Sequence, residues 1–361
     1  MRRWDRRSGF VVCQTADRVE TPRPSGRLAS LSVPYLRHRF VMKFRGPKTL
    51  GNRPQKAMVC PTSARIVLLA VALAAVALFA QDPVFRADVS LVRVDAQVTR
   101  AHEIVEGLQK DDFLILDNGK PQSILYCTQD EEPLDLLLLF DTSGSMLPSM
   151  RRLAASAHTA LSELRKGDRV AVANFNTTAS LIAPFNGDLQ EAEEAVGRIV
   201  DVRFGGGTYI LKAVEDGAKY FAQHGDPHRR HAILIFTDNF GQSSASEKEV
   251  VKRMWESDVL LCGLIVRTGE AGGFPGMASE DMLSAAQKTG GETVNADDPG
   301  HTFREMLRRM RKRYSIYYAM PADKPGVARQ VTVELAAVAK GRYPGAEVLA
   351  RKGYMIPASH K

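Results

Sequence analysis

Between residues 134 and 314 the chain alternates apolar runs of strand length with stretches of helical period, and few folds accept that alternation. Strand-like runs cover residues 134–140, 170–175, 181–185, 232–236 and 259–266. Helical patterns cover 150–164, 189–199, 210–221, 247–255, 282–288 and 303–313. The alternation predicts an α/β fold with a doubly wound, mostly parallel sheet and helices on both faces. The runs near 170 and 181 are joined by Asn176-Thr177-Thr178, which predicts a hairpin adding one antiparallel edge strand. In open sheets of this class ligands bind beyond the carboxyl ends of the strands.

Three segments at that predicted edge carry oxygen atoms suited to a cation. The run 134–140 ends in Asp141-Thr142-Ser143-Gly144-Ser145, a carboxylate and two hydroxyls on alternate residues. Gly205-Gly206-Gly207-Thr208 precedes the helical pattern at 210 and presents a third hydroxyl from a glycine-rich loop. The run 232–236 ends in Thr237-Asp238, a second carboxylate. Taken as three strand ends converging on one point, these give a ligand set of Asp141, Ser143, Ser145, Thr208 and Asp238. Read singly, Thr208 is a helix cap and Asp238 a strand-end cap. The set has few carboxylates and no His or Cys, which favours Mg²⁺, with Mn²⁺ or Ca²⁺ as alternatives, and argues against zinc.

In these residues the sequence resembles the von Willebrand factor type A (VWA) domain and its metal-ion-dependent adhesion site. The family's Asp-x-Ser-x-Ser matches Asp141, Ser143 and Ser145, its Gly-Gly-Thr matches Gly206-Gly207-Thr208, and its Thr-Asp-Gly matches Thr237-Asp238 with Asn239 in place of the glycine. Asn tolerates the left-handed conformation, so that replacement removes no ligand. The segments at residues 105–124 and 350–354 are similar to those of exported VWFA-related acidobacterial domain proteins. The resemblance implies a Rossmann-like VWA fold, a bound divalent cation, and a protein partner offering Asp or Glu to it. It also implies an adhesion or protein-binding role, the alternative being an envelope accessory subunit for complex assembly or metal insertion.

No enzyme motif competes with that expectation. A haloacid-dehalogenase-type phosphatase needs a second Asp where Ser143 stands, and an aspartic protease needs Asp-Thr-Gly or Asp-Ser-Gly. Neither a Gly-x-Ser-x-Gly elbow nor a phosphate-binding P-loop occurs. The expected protein is therefore not an enzyme.

Charge adds a second constraint. The formal net charge is +8, yet residues 1–65 hold 15 basic and 3 acidic residues, leaving 34 basic and 38 acidic beyond them. The basic excess belongs to the leader, so a nucleic-acid partner is not expected. Residues 66–80 (IVLLAVALAAVALFA) form an uncharged apolar stretch of signal-peptide length, shorter than the roughly 20 residues of a membrane span. Ala75-Val76-Ala77 fits a cleavage site, and Met58 makes a better start than Met1, leaving Arg65 as the positive flank. The expected product is exported, whether periplasmic, cell-surface or secreted, and meets the membrane only if this segment stays uncleaved as an anchor. Cys60 precedes the apolar stretch, which argues against lipid attachment. Of the later cysteines, Cys262 sits in an apolar run, so no bridge to Cys127 is expected.

The remaining segments read as β structure, in a layout of 1–65 leader, 66–80 signal core, 85–132 β domain, 133–314 VWA domain and 315–357 C-terminal strands. Val92, Val94, Ala96 and Val98 alternate with polar neighbours. Asp117-Asn118-Gly119-Lys120 between apolar runs 113–116 and 123–126 is a type I′ hairpin signal. Period-two runs return after 314, and both ends are expected to fold into one immunoglobulin-like β-sandwich from which the α/β domain projects. Residues 304–313 read as a solvated basic helix whose Phe303, Met306, Leu307 and Met310 face inward. The segments 239–247 and 267–280, including Phe274, are expected to rim the cation site.

Overall fold

The computed structural model describes residues 2–4, 11–13, 90–242, 245–267, 278–279 and 282–357. The rest of the basic leader, the apolar segment 66–80, and Phe274 with most of its loop lie outside the described residues. No helix among the described residues is long and apolar enough to cross a membrane.

Two three-residue strands come first, β1 (Arg2–Trp4) and β2 (Val11–Cys13). The β region then opens with β3 (Leu91–Arg100), whose Val92, Val94, Ala96 and Val98 are buried in alternation. After β4 (Glu103–Ile104), β5 (Phe113–Asp117) turns back through Asn118 and Gly119, at φ 47° and 75°, so that Asp117 faces Lys120. The returning arm differs from the expected 123–126. It is β6 (Lys120–Gln122), where Pro121 lacks a backbone donor and fits only an edge strand. The chain then crosses to the other sheet as β7 (Ile124–Gln129).

The α/β region begins at β8 (Leu134–Asp141), buried at every residue. Its even positions, Leu134, Leu136, Leu138 and Phe140, pack under one helix layer, and Leu137 and Leu139 under the other. A strand flanked on both sides by β partners and helices must be apolar throughout, which is what its run of leucines supplies. In order follow α1 (Leu147–Leu161), β9 (Arg169–Phe175), β10 (Ala179–Asn186), α2 (Leu189–Gly197), α3 (Ile210–His224), β11 (Arg230–Thr237) and β12 (Phe240–Gly241). Next come α4 (Glu247–Glu256), β13 (Val259–Val266), β14 (Ala278–Ser279), α5 (Met282–Thr289), β15 (Thr293–Ala296) and α6 (Pro299–Arg311). The sheet order is β1-β2-β10-β9-β8-β11-β13-β15. Strands β9, β8, β11, β13 and β15 run parallel, and β10 is the antiparallel partner predicted from the hairpin. β15 was not legible in the sequence, because its Thr293-Val-Asn-Ala is short and only partly apolar. In α6 the inward face is Phe303, Met306, Leu307 and Met310, each at most 1 % exposed.

The chain returns to the β region as β16 (Tyr314–Ala319), β17 (Ala328–Leu335), α7 (Ala337–Arg342), β18 (Glu347–Ala350) and β19 (Gly353–Met355). One antiparallel sheet has the order β18-β3-β16-β7 and the other β19-β17-β5-β6. Both contribute to one core, including Val94, Ile115, Ile316 and Val331. Strands from residues 91–129 and 314–355 thus build one two-sheet unit, from which the α/β region emerges between β7 and β16. Arg93 and Arg351 of this unit both pair with Asp258 of the α/β region, and Arg313 Nη1 donates to the Gly290 carbonyl at 2.8 Å. Cys127 and Cys262 are free.

Candidate cation site at the carboxyl edge of the sheet

Asp141 ends β8 at the centre of the sheet and is fully buried. Its Oδ1 accepts from the Ser143 amide at 2.8 Å, and its Oδ2 accepts from the Thr237 hydroxyl at 2.7 Å. Thr237 ends the neighbouring strand β11, so parallel pairing of β8 and β11 brings Asp141 and Thr237 to the same edge. Burial pushes the Asp141 carboxyl up to about 6, helped by the Asp238 carboxylate and opposed by the Ser143 amide and the Thr237 hydroxyl.

The chain continues from Asp141 into a short 3₁₀ turn, Gly144–Met146, that leads into α1. This turn brings the two serine hydroxyls together, with Ser143 Oγ 3.3 Å from Ser145 Oγ. Ser145 Oγ in turn donates to Asp238 Oδ2 at 2.6 Å. The other Asp238 oxygen accepts from the Phe240 amide at 3.1 Å, so the strand-end cap and the site contact coexist in one side chain. Asn239 adopts φ 63°, the left-handed conformation expected where it replaces glycine. Asp141, Ser143, Ser145 and Asp238 therefore form one cluster linked by hydrogen bonds, and it is largely closed to solvent.

Thr208 reaches this edge by a different route. It lies in the glycine loop before α3, as the sequence predicts, but a 3₁₀ turn at Arg198–Asp201 and not a strand leads into that loop, so only two of the three segments are strand ends. Gly205 and Gly206 have φ 129° and 89°, values that exclude side chains with a Cβ without strain. The loop is tied to the cluster by Gly205 N donating to the Thr142 carbonyl at 2.9 Å, and to β12 by Gln242 N donating to the Thr208 carbonyl at 2.8 Å. The Thr208 hydroxyl is fully buried and, among the described residues, has no hydrogen-bond partner. It does not cap α3, whose N-cap is Tyr209 with no side-chain cap bond. A buried hydroxyl left unpaired costs about 1–3 kcal/mol, so an orphan of this kind calls for a partner.

Two carboxylates and three hydroxyls, one of them orphaned, suit a hard cation with oxygen ligands. Among the described residues no group of three or more His, Cys, Asp or Glu side chains is arranged to hold a metal, and the five-residue set offers only two carboxylates beside its hydroxyls. The sequence reading missed Thr237 and Thr142. Thr237 orients Asp141, and Thr142 is anchored on the end of β9 by its amide and hydroxyl, both donating to the Phe175 carbonyl, at 2.8 and 2.9 Å. Thr237 stood beside a recognised ligand in the sequence, whereas the partner of Thr142 is 33 residues away and had no local signal. Of the expected rim, β12 pairs with β14 just beyond Asp238, Phe240 opposite Ser279.

The oxygen donors lie at the carboxyl edge of an open α/β sheet, the edge at which folds of this class bind ligands. The family model for the von Willebrand factor type A domain matches residues 136–242, and the chain carries such a domain there, a module that generally binds proteins. No curated protein matches the chain. Among solved structures, BatB from Bacteroides thetaiotaomicron is 16% identical, with 49% of this chain and 97% of that one covered and a TM-score of 0.38. An aerotolerance-related membrane protein from Bacteroides fragilis is 16% identical, with 50% and 99% covered and a TM-score of 0.39. A von Willebrand factor type A protein from Catenulispora acidiphila is 14% identical, with 75% and 74% covered and a TM-score of 0.40.

Proposed function

We propose that the chain is an exported, non-catalytic protein-binding module of the VWFA-related acidobacterial type, which holds a divalent cation, Mg²⁺ first among candidates, and uses it to bind an acidic residue of a partner. The observation that carries this reading is the buried, unpartnered Thr208 hydroxyl, on a loop hydrogen-bonded to the segment that bears Asp141, Ser143 and Ser145. Ser143, Ser145 and Thr208 would offer neutral oxygens and Asp141 and Asp238 the negative charge. A cation held mainly by neutral oxygens keeps an electrophilic position for a carboxylate from outside. Asp141 is held in place by Ser143 and Thr237, while the Ser145–Asp238 hydrogen bond would give way to bonds with the ion. No enzyme motif accompanies these residues in the sequence, which favours binding over catalysis. The apolar segment 66–80 supports export.

Two measurements test the proposal. Titration of the purified protein with Mg²⁺ should give a saturable binding isotherm, and Asp141→Ala should abolish it. Capture of partners from envelope extract should occur with Mg²⁺ and be lost in EDTA. A protein that binds no divalent cation, or one that hydrolyses phosphoesters or peptides through Asp141, would overturn the reading.

A further inference from the structure

The loop that carries Thr208 is bracketed by a single residue of the β9–β10 hairpin. Asn176 follows the last residue of β9, and its side-chain Nδ2 donates to the Gly205 carbonyl at 3.2 Å. Its backbone carbonyl accepts from the Tyr209 amide at 3.0 Å. One residue thus fixes both ends of the segment 205–209, with Thr208 between them. The amide has a determined orientation, because Oδ1 accepts from the Thr178 amide at 3.3 Å and the Thr177 hydroxyl at 3.4 Å, leaving Nδ2 to face Gly205. The fit is close along the loop. A Cβ on Gly207 would stand 3.4 Å from Thr177 Cγ2 and 3.4 Å from Gln242 Oε1, and one on Gly206 would stand 3.9 Å from Asn176 Nδ2.

The need for such a clamp follows from the loop's composition. Three consecutive glycines have more backbone freedom than any other tripeptide, and a loop free to wander cannot hold one hydroxyl at a fixed point. Gly205 N bound to the Thr142 carbonyl holds one side of the loop, and Asn176 supplies the remaining cross-ties to the hairpin. We propose that Asn176 is a positioning residue of the cation site, acting through Thr208 by holding the glycine loop at both ends. This inference rests on the cation reading of the site.

The test is a double-mutant cycle read by Mg²⁺ affinity, with melting in EDTA as the control. Asn176→Ser keeps an acceptor for the Thr178 amide but is too short to reach Gly205, so the hairpin turn and the backbone tie to Tyr209 survive while the loop loses its side-chain tie at Gly205. Loss of one net hydrogen bond predicts a fall in Mg²⁺ affinity of roughly three- to tenfold, with the EDTA melting temperature nearly unchanged. In a Thr208→Val background the same change should have no further effect on residual binding. Asn176→Asp keeps the size and the turn acceptor but has no proton for Gly205. Compared at high salt to screen its charge, it should show the same loss and serves as the second variant. Unchanged affinity in both variants, or losses that add to that of Thr208→Val, would overturn the inference while leaving the cation reading intact. A wild-type protein that binds no Mg²⁺ would overturn both.

Discussion

Ser145 Oγ donates to Asp238 Oδ2 at 2.6 Å across 93 residues of sequence, joining the loop after β8 to the end of β11. This contact is the hinge of the site. It gives both groups a partner, whereas among the described residues the Thr208 hydroxyl has none.

Thr208→Val, close to isosteric, should separate fold from binding. Removing a buried unpaired hydroxyl should leave stability in EDTA unchanged or raise it by up to about 1–3 kcal/mol, because a desolvation cost disappears. Mg²⁺ affinity should fall about tenfold or more, the equivalent of about 1.4 kcal/mol. Urea unfolding in EDTA and calorimetric titration measure the two effects, and a variant that loses stability yet keeps its affinity would contradict the assignment.

Asp141→Asn keeps the size of the side chain and should preserve the sheet. In wild type, free Mg²⁺ at a hundredfold over Kd should stabilise the fold by about 2.7 kcal/mol, since it binds only the native state. That increment should vanish in the variant, as read by melting with and without Mg²⁺. A full Mg²⁺-dependent shift in Asp141→Asn would place the ion elsewhere.

Acid stability should depend on the joint between the two regions. Burial tends to raise the Asp258 carboxyl, but Arg351 and Arg93 outweigh it and hold the group below the usual carboxylate range. A carboxyl lowered in the folded state contributes stability that is complete above its unfolded value of about 3.9 and is lost as pH falls through the folded one. Melting temperature should therefore drop below about pH 4, and Arg351→Met should flatten that drop while lowering stability at neutral pH. An identical pH profile in the variant would rule out this pair as the cause.

Asp117 is the polar hub of the β-sandwich. It accepts from Arg329 Nε at 2.7 Å, Tyr318 OH at 2.8 Å and Tyr354 OH at 2.9 Å, with no exposed surface of its own. Asp117→Ala would leave two buried phenols without their acceptor and Arg329 with Asp323 alone, at a cost of about 1–3 kcal/mol for each phenol left unpaired, read by urea unfolding. Mg²⁺ affinity should stay at the wild-type value, because the hub belongs to the β unit and touches no candidate ligand.

The sequence alone determined the strand–helix alternation, the antiparallel strand at 179–186 though not its place inside the edge formed by β1 and β2, the turn at Asn118-Gly119, and the inward face of α6. Each of these is a local rule of period, turn chemistry or charge, complete within a dozen residues. It also named Asp141, Ser143, Ser145 and Asp238, because a strand end announces itself by the apolar run before it, and Thr208, because a glycine run before a helical pattern marks a loop. Only the tertiary structure decided how those members meet. The Thr237 contact with Asp141 spans 96 residues and depends on parallel register between β8 and β11. The orphaning of the Thr208 hydroxyl and the clamping of its loop by Asn176 likewise depend on how the hairpin packs against a glycine segment. Period and composition cannot report such facts, since they arise from which strand lies beside which, and burial then turns that adjacency into an energetic requirement.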